Sequence, residues 1–135
     1  MNYKNPYKAK PRQLEDSMCK AFVQELDWKI KTEKLLNGLF YYHIPNGGSR
    51  NILEAKKLKL MGTRRGVSDY FIMKASGKYH GLYLEFKVKT KDYKNYLSQE
   101  QKAFFETAEI EGYKAVMVTS AEEAIAEIYK YIRDN

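Results

Sequence analysis

Apolar residues recur every four positions near the start of the chain. Leu14, Met18, Phe22, Leu26 and Ile30 follow this spacing, which places them on one side of a helix. The pattern predicts a long helix that continues to about residue 37, because the glycine that follows supplies a stop signal.

Four shorter apolar runs predict strands. Residues 39–44 are rich in strand formers and end at Pro45. Residues 69–73 and 82–88 are separated by a polar stretch that contains glycine, which is typical of a hairpin connection. Residues 114–119 are apolar enough to lie inside a sheet.

Three further helices complete the pattern. They are predicted at residues 52–61, at residues 98–111, and from Ser120 onward, where Glu123 completes a capping-box pattern. The order helix, strand, helix, strand, strand, helix, strand, helix predicts an α/β layer fold with a mixed central sheet.

Two acids and a lysine stand out against this pattern. Asp69 opens one predicted strand, and Glu85 and Lys87 flank Phe86 in the next. Because side chains alternate along a strand, Glu85 and Lys87 share a face, and the hairpin can bring Asp69 beside them. Two carboxylates and an amine are typical of a metal-dependent nuclease, in which Mg²⁺ or Mn²⁺ takes oxygen ligands and the amine acts on the attacking water. The alternative is that Glu85 and Lys87 are only the solvent-facing side of a half-buried strand.

The charge distribution favours a nucleic-acid partner. The formal net charge is +7, and residues 1–94 hold 20 basic and 9 acidic side chains, whereas residues 95–135 hold 4 and 8. One basic surface is therefore expected to face a phosphate backbone. A merely basic soluble protein is the alternative. An anionic membrane is a weaker one, because no lipidation motif or basic helix with a bulky apolar face is present.

The remaining composition restricts the class of protein. The 135 residues predict a basic arm over residues 1–11 and a single domain over residues 12–135. No apolar run predicts a signal peptide or a membrane span, so a soluble, cytoplasmic protein is expected. The one cysteine, Cys19, falls in the first helix and is expected to be a small buried thiol. With His43 and His80 as the only histidines, a zinc site is not expected.

Five short motifs follow one another along the chain: His43-Ile44-Pro45-Asn46-Gly47-Gly48, Met61-Gly62, Gly66-Val67-Ser68-Asp69, Glu85-Phe86-Lys87 and Leu97-Ser98-Gln99-Glu100-Gln101. Together they resemble the VRR-NUC (virus-type replication-repair nuclease) group of the PD-(D/E)xK superfamily. The resemblance covers nearly the whole chain and implies a restriction-endonuclease-like core of the stand-alone phage or bacterial type. One departure is Ser68, where the family usually has proline.

The resemblance also implies roles for individual residues. Asp69 and Glu85 resemble the metal ligands, with the Phe86 backbone carbonyl as a further oxygen, and Lys87 resembles the lysine that activates water. Glu15 resembles the acid of the first helix, a catalytic residue and candidate metal ligand. Its place at the edge of the apolar stripe also suits an acid that only reaches solvent. Gln101 resembles an active-site glutamine, although Ser98 and Gln101 also form a capping-box pattern.

The candidate DNA-binding residues fall in three segments. The first is a glycine-rich loop whose backbone amides can approach a phosphate, the second is a basic helix with the turn after it, and the third mixes lysine with tyrosine. The residues are Asn46, Gly47, Gly48, Arg50, Lys56, Lys57, Lys59, Arg64, Arg65, Lys89, Lys91, Tyr93, Lys94 and Tyr96. A plain turn explains the loop equally well, and the tyrosines can equally pack on their own domain.

The expected function is a Mg²⁺- or Mn²⁺-dependent, structure-specific DNA endonuclease that acts on branched DNA. The resemblance implies Holliday junctions as substrates, a place in DNA repair and a homodimer, since two nicks on opposing strands suit two-fold symmetry. Two alternatives stay open: a non-catalytic basic protein that binds junctions or duplex ends, and a linear-duplex nuclease with the same chemistry.

Overall fold

The helices and strands follow the predicted order. The structure, a computed structural model, describes residues 11–45, 51–89 and 97–134. Its elements are α1 (Pro11–Thr32), a 3-10 turn (Lys34–Leu36), β1 (Phe40–His43), α2 (Ile52–Leu60), β2 (Tyr70–Met73), β3 (Leu82–Phe86), α3 (Gln99–Ile110), β4 (Lys114–Val118) and α4 (Ala121–Arg133).

The sheet is mixed, as predicted. Its strand order is β1-β2-β3-β4. β1 and β3 both run antiparallel to β2, with Tyr70 opposite His43 on one side and opposite Leu84 on the other. β4 runs parallel to β3, with Phe86 opposite Val118. The end of β1, the start of β2 and the end of β3 therefore lie next to one another at the same end of the sheet.

The core lies between one face of the sheet and the pair α1 and α4. Leu82, Leu84 and Phe86 are fully buried, as the strand alternation predicts, and the Phe86 ring lies 5.3 Å from that of Phe22 on α1. The opposite face carries Tyr83, whose ring meets Phe104 of α3 edge-on. Helices thus cover both faces, and α3 lies on the face from which the side chain of Glu85 projects.

The first helix is shorter than predicted. It ends at Thr32, whose hydroxyl donates to the carbonyl of Trp28, and not at about residue 37. The four-residue apolar spacing stops at Ile30, because the next position on the same face is Lys34. Leu36 instead enters the core from the 3-10 turn, where it is 1% exposed. Cys19, expected to be buried, is only half-buried.

Glu123 differs from its predicted role in the cap of α4. Ser120 is the N-cap, and its hydroxyl accepts from the backbone N–H of Glu123, as predicted. The Glu123 carboxylate, however, accepts from the N–H and the hydroxyl of Thr119, each at 2.9 Å, one residue before the position a capping box requires.

The surface helix α2 is solvated along its length. None of its residues is buried, and its backbone makes no close contact with the other described helices and strands. Asn51 caps it by accepting from the N–H groups of Leu53 and Glu54. Among the described residues, no helix is both long and apolar enough to cross a membrane.

Candidate active site

Asp69 lies immediately before β2 and is bonded to the ends of both neighbouring strands. Its carboxylate oxygen Oδ2 accepts from the backbone N–H of Phe86 at 2.7 Å. Its backbone carbonyl accepts from the N–H of Ile44 at 2.7 Å and lies 2.9 Å from Nδ1 of His43. Because a carbonyl oxygen only accepts, Nδ1 carries the proton in this contact. These bonds hold the acid against the last residues of β3.

Glu85 is a buried carboxylate on β3, with 4% of its surface exposed. Its Oε1 accepts from Nε2 of Gln101 at 2.7 Å and lies 3.9 Å from Nζ of Lys87. Its Oε2 is buried and has no hydrogen-bond partner among the described residues. This burial excludes the interpretation of Glu85 as part of a solvent-facing strand surface. A buried carboxylate oxygen without a donor costs free energy in the folded state. Proteins keep such groups mainly where they have a function.

Gln101 makes both contacts that its sequence position suggested. Its side-chain Oε1 accepts from the backbone N–H of Ser98 at 2.8 Å, and the hydroxyl of Ser98 accepts from the N–H of Gln101 at 3.1 Å, so the capping box of α3 is present. The amide nitrogen of the same side chain donates to Glu85. The helix cap therefore fixes the orientation of the amide that binds the carboxylate.

Gly66 packs the loop before Asp69 closely against the start of α3. Its φ is +91°, a conformation that residues with a side chain rarely adopt. A Cβ at this position would lie 2.4 Å from the backbone oxygen of Glu100, the residue before Gln101. Only glycine allows this approach. The loop that ends in Asp69 and the helix that carries Gln101 are therefore in direct backbone contact.

Burial raises the affinity of these carboxylates for protons. The pKa of Glu85 is raised to about 8, first by burial and then by the Asp69 carboxylate, against the lowering effect of Lys87. Burial also raises the pKa of Asp69, although the Phe86 N–H, His43 and Lys87 oppose it. The acids thus share one electrostatic environment, in which protons would compete with a cation for the same oxygens.

Glu15 belongs to this environment from the side of α1. Burial raises its pKa, the charge of Lys87 lowers it, and the Asp69 carboxylate raises it further. Across residues 11–45, 51–89 and 97–134, however, no three Asp, Glu, His or Cys side chains converge closely enough to enclose a metal ion. Asp69 and Glu85 are thus two oxygen donors, and a divalent cation would need further oxygen atoms.

The residues present fit such a cation. Carboxylate oxygens are its preferred ligands, the buried Oε2 of Glu85 has no donor in the part of the chain that the structure describes, and the backbone carbonyl of Phe86 follows one residue later. Lys87 adds an amine beside Glu85. The arrangement therefore brings acids, a backbone carbonyl and an amine together at one end of the sheet.

The candidate DNA-binding residues are only partly described. Lys56, Lys57 and Lys59 are exposed on α2, Arg64 and Arg65 are exposed in the turn after it, and Lys89 is exposed after β3. The others lie outside the described residues: Asn46, Gly47, Gly48, Arg50, Lys91, Tyr93, Lys94 and Tyr96. The three described groups lie on the segments that lead into Asp69 and away from Lys87.

The fold and this cluster define the class of protein: an α/β domain of the restriction-endonuclease-like kind, with its acids and lysine at the ends of adjacent strands. Among solved structures, the chain is similar to a VRR_NUC domain protein at 28% sequence identity and a TM-score of 0.68, with 93% of this chain and 91% of that chain covered. No family model matches the chain, and the search of curated proteins gives no match. The chain therefore has the VRR-NUC fold, the fold of a nuclease domain family, and both the predicted fold class and the predicted resemblance are confirmed.

Two contacts of the site are not predicted from the sequence. His43 and Ile44 hold the backbone of Asp69, and Gly66 contacts the start of α3. From the sequence, His43 is placed in a predicted strand and in a family motif, without a contact to Asp69. For the contact of Gly66 with α3, the available signal was a glycine shortly before an acid at the start of a predicted strand. The contact of His43 and Ile44 with Asp69 depends on the pairing of β1 with β2, which the sequence does not specify.

Proposed function

We propose that the protein is a divalent-metal-dependent DNA endonuclease whose active site is formed by Asp69, Glu85 and Lys87. The observation that carries this proposal is the bond from the Phe86 N–H to the Asp69 carboxylate. It brings Asp69, whose place in the sequence is sixteen residues away, against the Glu85–Lys87 segment. The buried Oε2 of Glu85, which no described residue supplies with a donor, supports the same conclusion.

Each residue has a distinct part in the proposed reaction. Asp69 and Glu85, with the Phe86 carbonyl, would hold Mg²⁺ or Mn²⁺, and Glu15 would act on the same cation from α1. A bound cation of this kind supplies Lewis-acid chemistry, because it stabilises the charge that develops on the phosphate in the transition state. Gln101 holds the Glu85 carboxylate in place through its 2.7 Å hydrogen bond.

The bond changes are those of phosphodiester hydrolysis. Beside a bound cation the charged form of Lys87 would be disfavoured, and the neutral amine would then orient a water molecule and accept its proton as the water oxygen bonds to phosphorus. The bond from phosphorus to the 3′ oxygen breaks on the opposite side, and that oxygen leaves with a proton from solvent. The products are a 5′ phosphate and a 3′ hydroxyl.

Branched DNA, such as the four-way Holliday junction, is the proposed substrate, with DNA repair as the process. The similarity to a VRR_NUC domain protein supports a nuclease domain that binds DNA, and the exposed basic group formed by α2 and the turn that follows it offers a surface for phosphates. The preference for branched DNA is proposed from the family that the sequence motifs resemble. A homodimer is proposed because each chain has one active site, whereas symmetrical resolution of a junction needs two nicks.

A cleavage assay tests the proposal directly. The purified protein is given a labelled four-way junction, a flap, a duplex and a single strand, each with Mg²⁺, Mn²⁺ or EDTA. We expect metal-dependent nicking that is lost in Asp69→Asn, Glu85→Gln and Lys87→Met and kept in Glu122→Gln, a matched change of an exposed acid on α4. Junction binding without nicking in either metal would instead favour a non-catalytic binding protein. Equal cleavage of unbranched duplex would favour a linear-duplex nuclease.

The homodimer has a separate test. Light scattering at micromolar concentration gives the mass in solution, and a cruciform plasmid reports whether the two nicks are paired. We expect twice the mass of one chain and linear product without an intermediate. A monomer that first releases nicked circles would exclude paired cutting.

A further inference from the structure

A groove of about 680 Å³ opens beside Asp69, between α1 and the end of the sheet where β1 ends and β2 begins. Its rim is polar and exposed: Lys20 and Gln24 lie one helical turn apart on α1, and His43 lies across from them on β1. Of these residues, His43 contacts the backbone carbonyl of Asp69. The groove therefore extends the site along α1.

The deeper lining of this groove is apolar. Cys19 and Val23 of α1 are half-buried, and Tyr70, the residue after Asp69, is buried. Charged residues of both signs, Arg12, Glu15 and Asp16, also line the groove. An apolar surface contributes little to binding a phosphate, which is surrounded by water. The apolar part of the groove is therefore poorly suited to a plain stretch of DNA backbone.

The flat face of a nucleobase fits the same surface well. Proteins that hold single strands combine cations for the phosphates with aromatic or apolar groups for the bases. In a continuous duplex the faces of the bases are stacked on one another, so that only their edges and the backbone reach a protein. An apolar lining with a polar rim thus matches an unpaired nucleotide and not a paired one.

We propose that this α1 groove, lined by Cys19, Lys20, Val23, Gln24, His43 and Tyr70, holds an unpaired nucleotide next to the scissile phosphate. The base lies on the apolar lining, and its phosphate lies against Lys20. This inference rests on the nuclease function proposed above and adds to it the feature of DNA that the site requires. Unpaired nucleotides occur in flaps and where strands separate at a branch, so the groove would select for branched DNA at the point of cutting.

Binding without cleavage tests the groove independently of catalysis. A labelled flap with one unpaired nucleotide beside the cut position is compared with the same flap carrying an abasic residue there, in EDTA and separately in Ca²⁺. Loss of the base should weaken binding about fivefold or more, as expected for one stacked base. Equal affinity for the two flaps would overturn the proposal.

Two variants of α1 provide the matched comparison. Lys20→Glu changes the rim of the groove, and Lys31→Glu makes the same charge change on the same helix at an exposed position outside it. We expect Lys20→Glu to weaken flap binding more than it weakens duplex binding, whereas Lys31→Glu should affect the two equally. An equal effect of both variants on both DNAs would contradict the proposal.

Cys19 gives a local readout of occupancy because it is the single cysteine of the chain. The flap should slow its alkylation by a small maleimide, whereas blunt duplex at equal saturation should not. Protection without cleavage in Mg²⁺ or Mn²⁺ would support the groove and reject the nuclease function. Metal-dependent cleavage with unprotected Cys19 would do the reverse, and no DNA binding would reject both.

Discussion

Replacement of Glu85 by glutamine should make the metal-free protein more stable at alkaline pH and leave its stability unchanged in acid. The buried carboxylate has its pKa raised from 4.5 to about 8. Between these two values the folded chain holds the proton more tightly than the unfolded chain does, so the free energy of unfolding falls as the pH rises. Glu85→Gln removes this fall because the amide does not ionise.

The structure sets the size of the effect. Each pH unit between the two pKa values corresponds to about 1.4 kcal/mol, which gives an upper bound of about 5 kcal/mol. We expect about 2 to 4 kcal/mol, because Lys87 and local rearrangement offset part of the cost of a buried charge. The glutamine keeps an oxygen that can accept from Gln101, so the 2.7 Å bond to that residue is retained.

Urea unfolding at pH 4.5, 6, 7.5 and 9 in EDTA measures this difference. The curves for Glu85→Gln and the wild type should meet at pH 4.5 and separate progressively above it. Glu122→Gln, which changes an exposed acid on α4, should follow the wild type throughout. Wild-type and Glu85→Gln curves that stay parallel from pH 4.5 to 9 would refute the assignment of a buried, proton-binding carboxylate. Mg²⁺ should then stabilise the wild type most at the highest pH, because ligands must be deprotonated to bind it.

Three further changes test the contacts around the acids. Gly66→Ala should destabilise the fold by about 2 kcal/mol or more, because the added Cβ would meet the Glu100 carbonyl. Gly62 also has a positive φ but has open space around it, so Gly62→Ala should show only the cost of the backbone conformation, about 1 kcal/mol. Similar losses in both variants, measured by urea unfolding, would contradict the role of the contact. Gln101→Ala should cost more than Ser98→Ala, about 2 to 4 against about 1 kcal/mol, because it removes the donor to Glu85 as well as the side-chain oxygen that accepts from the Ser98 N–H. Ser68→Ala should leave stability unchanged or raise it by about 1 kcal/mol in thermal unfolding, because the buried hydroxyl has no partner among the described residues.

The sequence was sufficient to predict the fold because the apolar periodicity of each segment agrees with the side that the segment buries in the core. The alternation of residues 82–86 predicted that Leu82, Leu84 and Phe86 face the core, and all three are fully buried. The end of α1 was predicted wrongly because a glycine stop signal at Gly38 was given more weight than the loss of the apolar stripe after Ile30. The stripe decides the boundary, because helices in proteins gain most of their stability from packing.

The candidate site could be predicted only in part, for a reason of distance along the chain. Asp69, Glu85 and Lys87 belong to one hairpin, so local pattern suffices to bring them together. His43 reaches Asp69 from 26 residues away, and that contact depends on the register between β1 and β2. Neither composition nor periodicity specifies this register, because residues 39–44 present aromatic side chains on both faces of the strand.

The contacts of Asp69 and Glu85 explain how an unfavourable site is kept in one geometry. Among the described residues, the buried side-chain atoms without partners are Ser68 Oγ and Glu85 Oε2, and both lie beside or within the acid cluster. Such groups favour conformations that expose them to water. The structure opposes this with backbone contacts: Phe86 N–H binds Asp69, Ile44 N–H binds its carbonyl, and Gly66 packs directly on the start of α3. Backbone groups are positioned by the sheet and the helix as a whole, so they can resist the displacement of single side chains. A cation bound to Asp69 and Glu85 would then relieve the repulsion between carboxylates that the fold already holds in place.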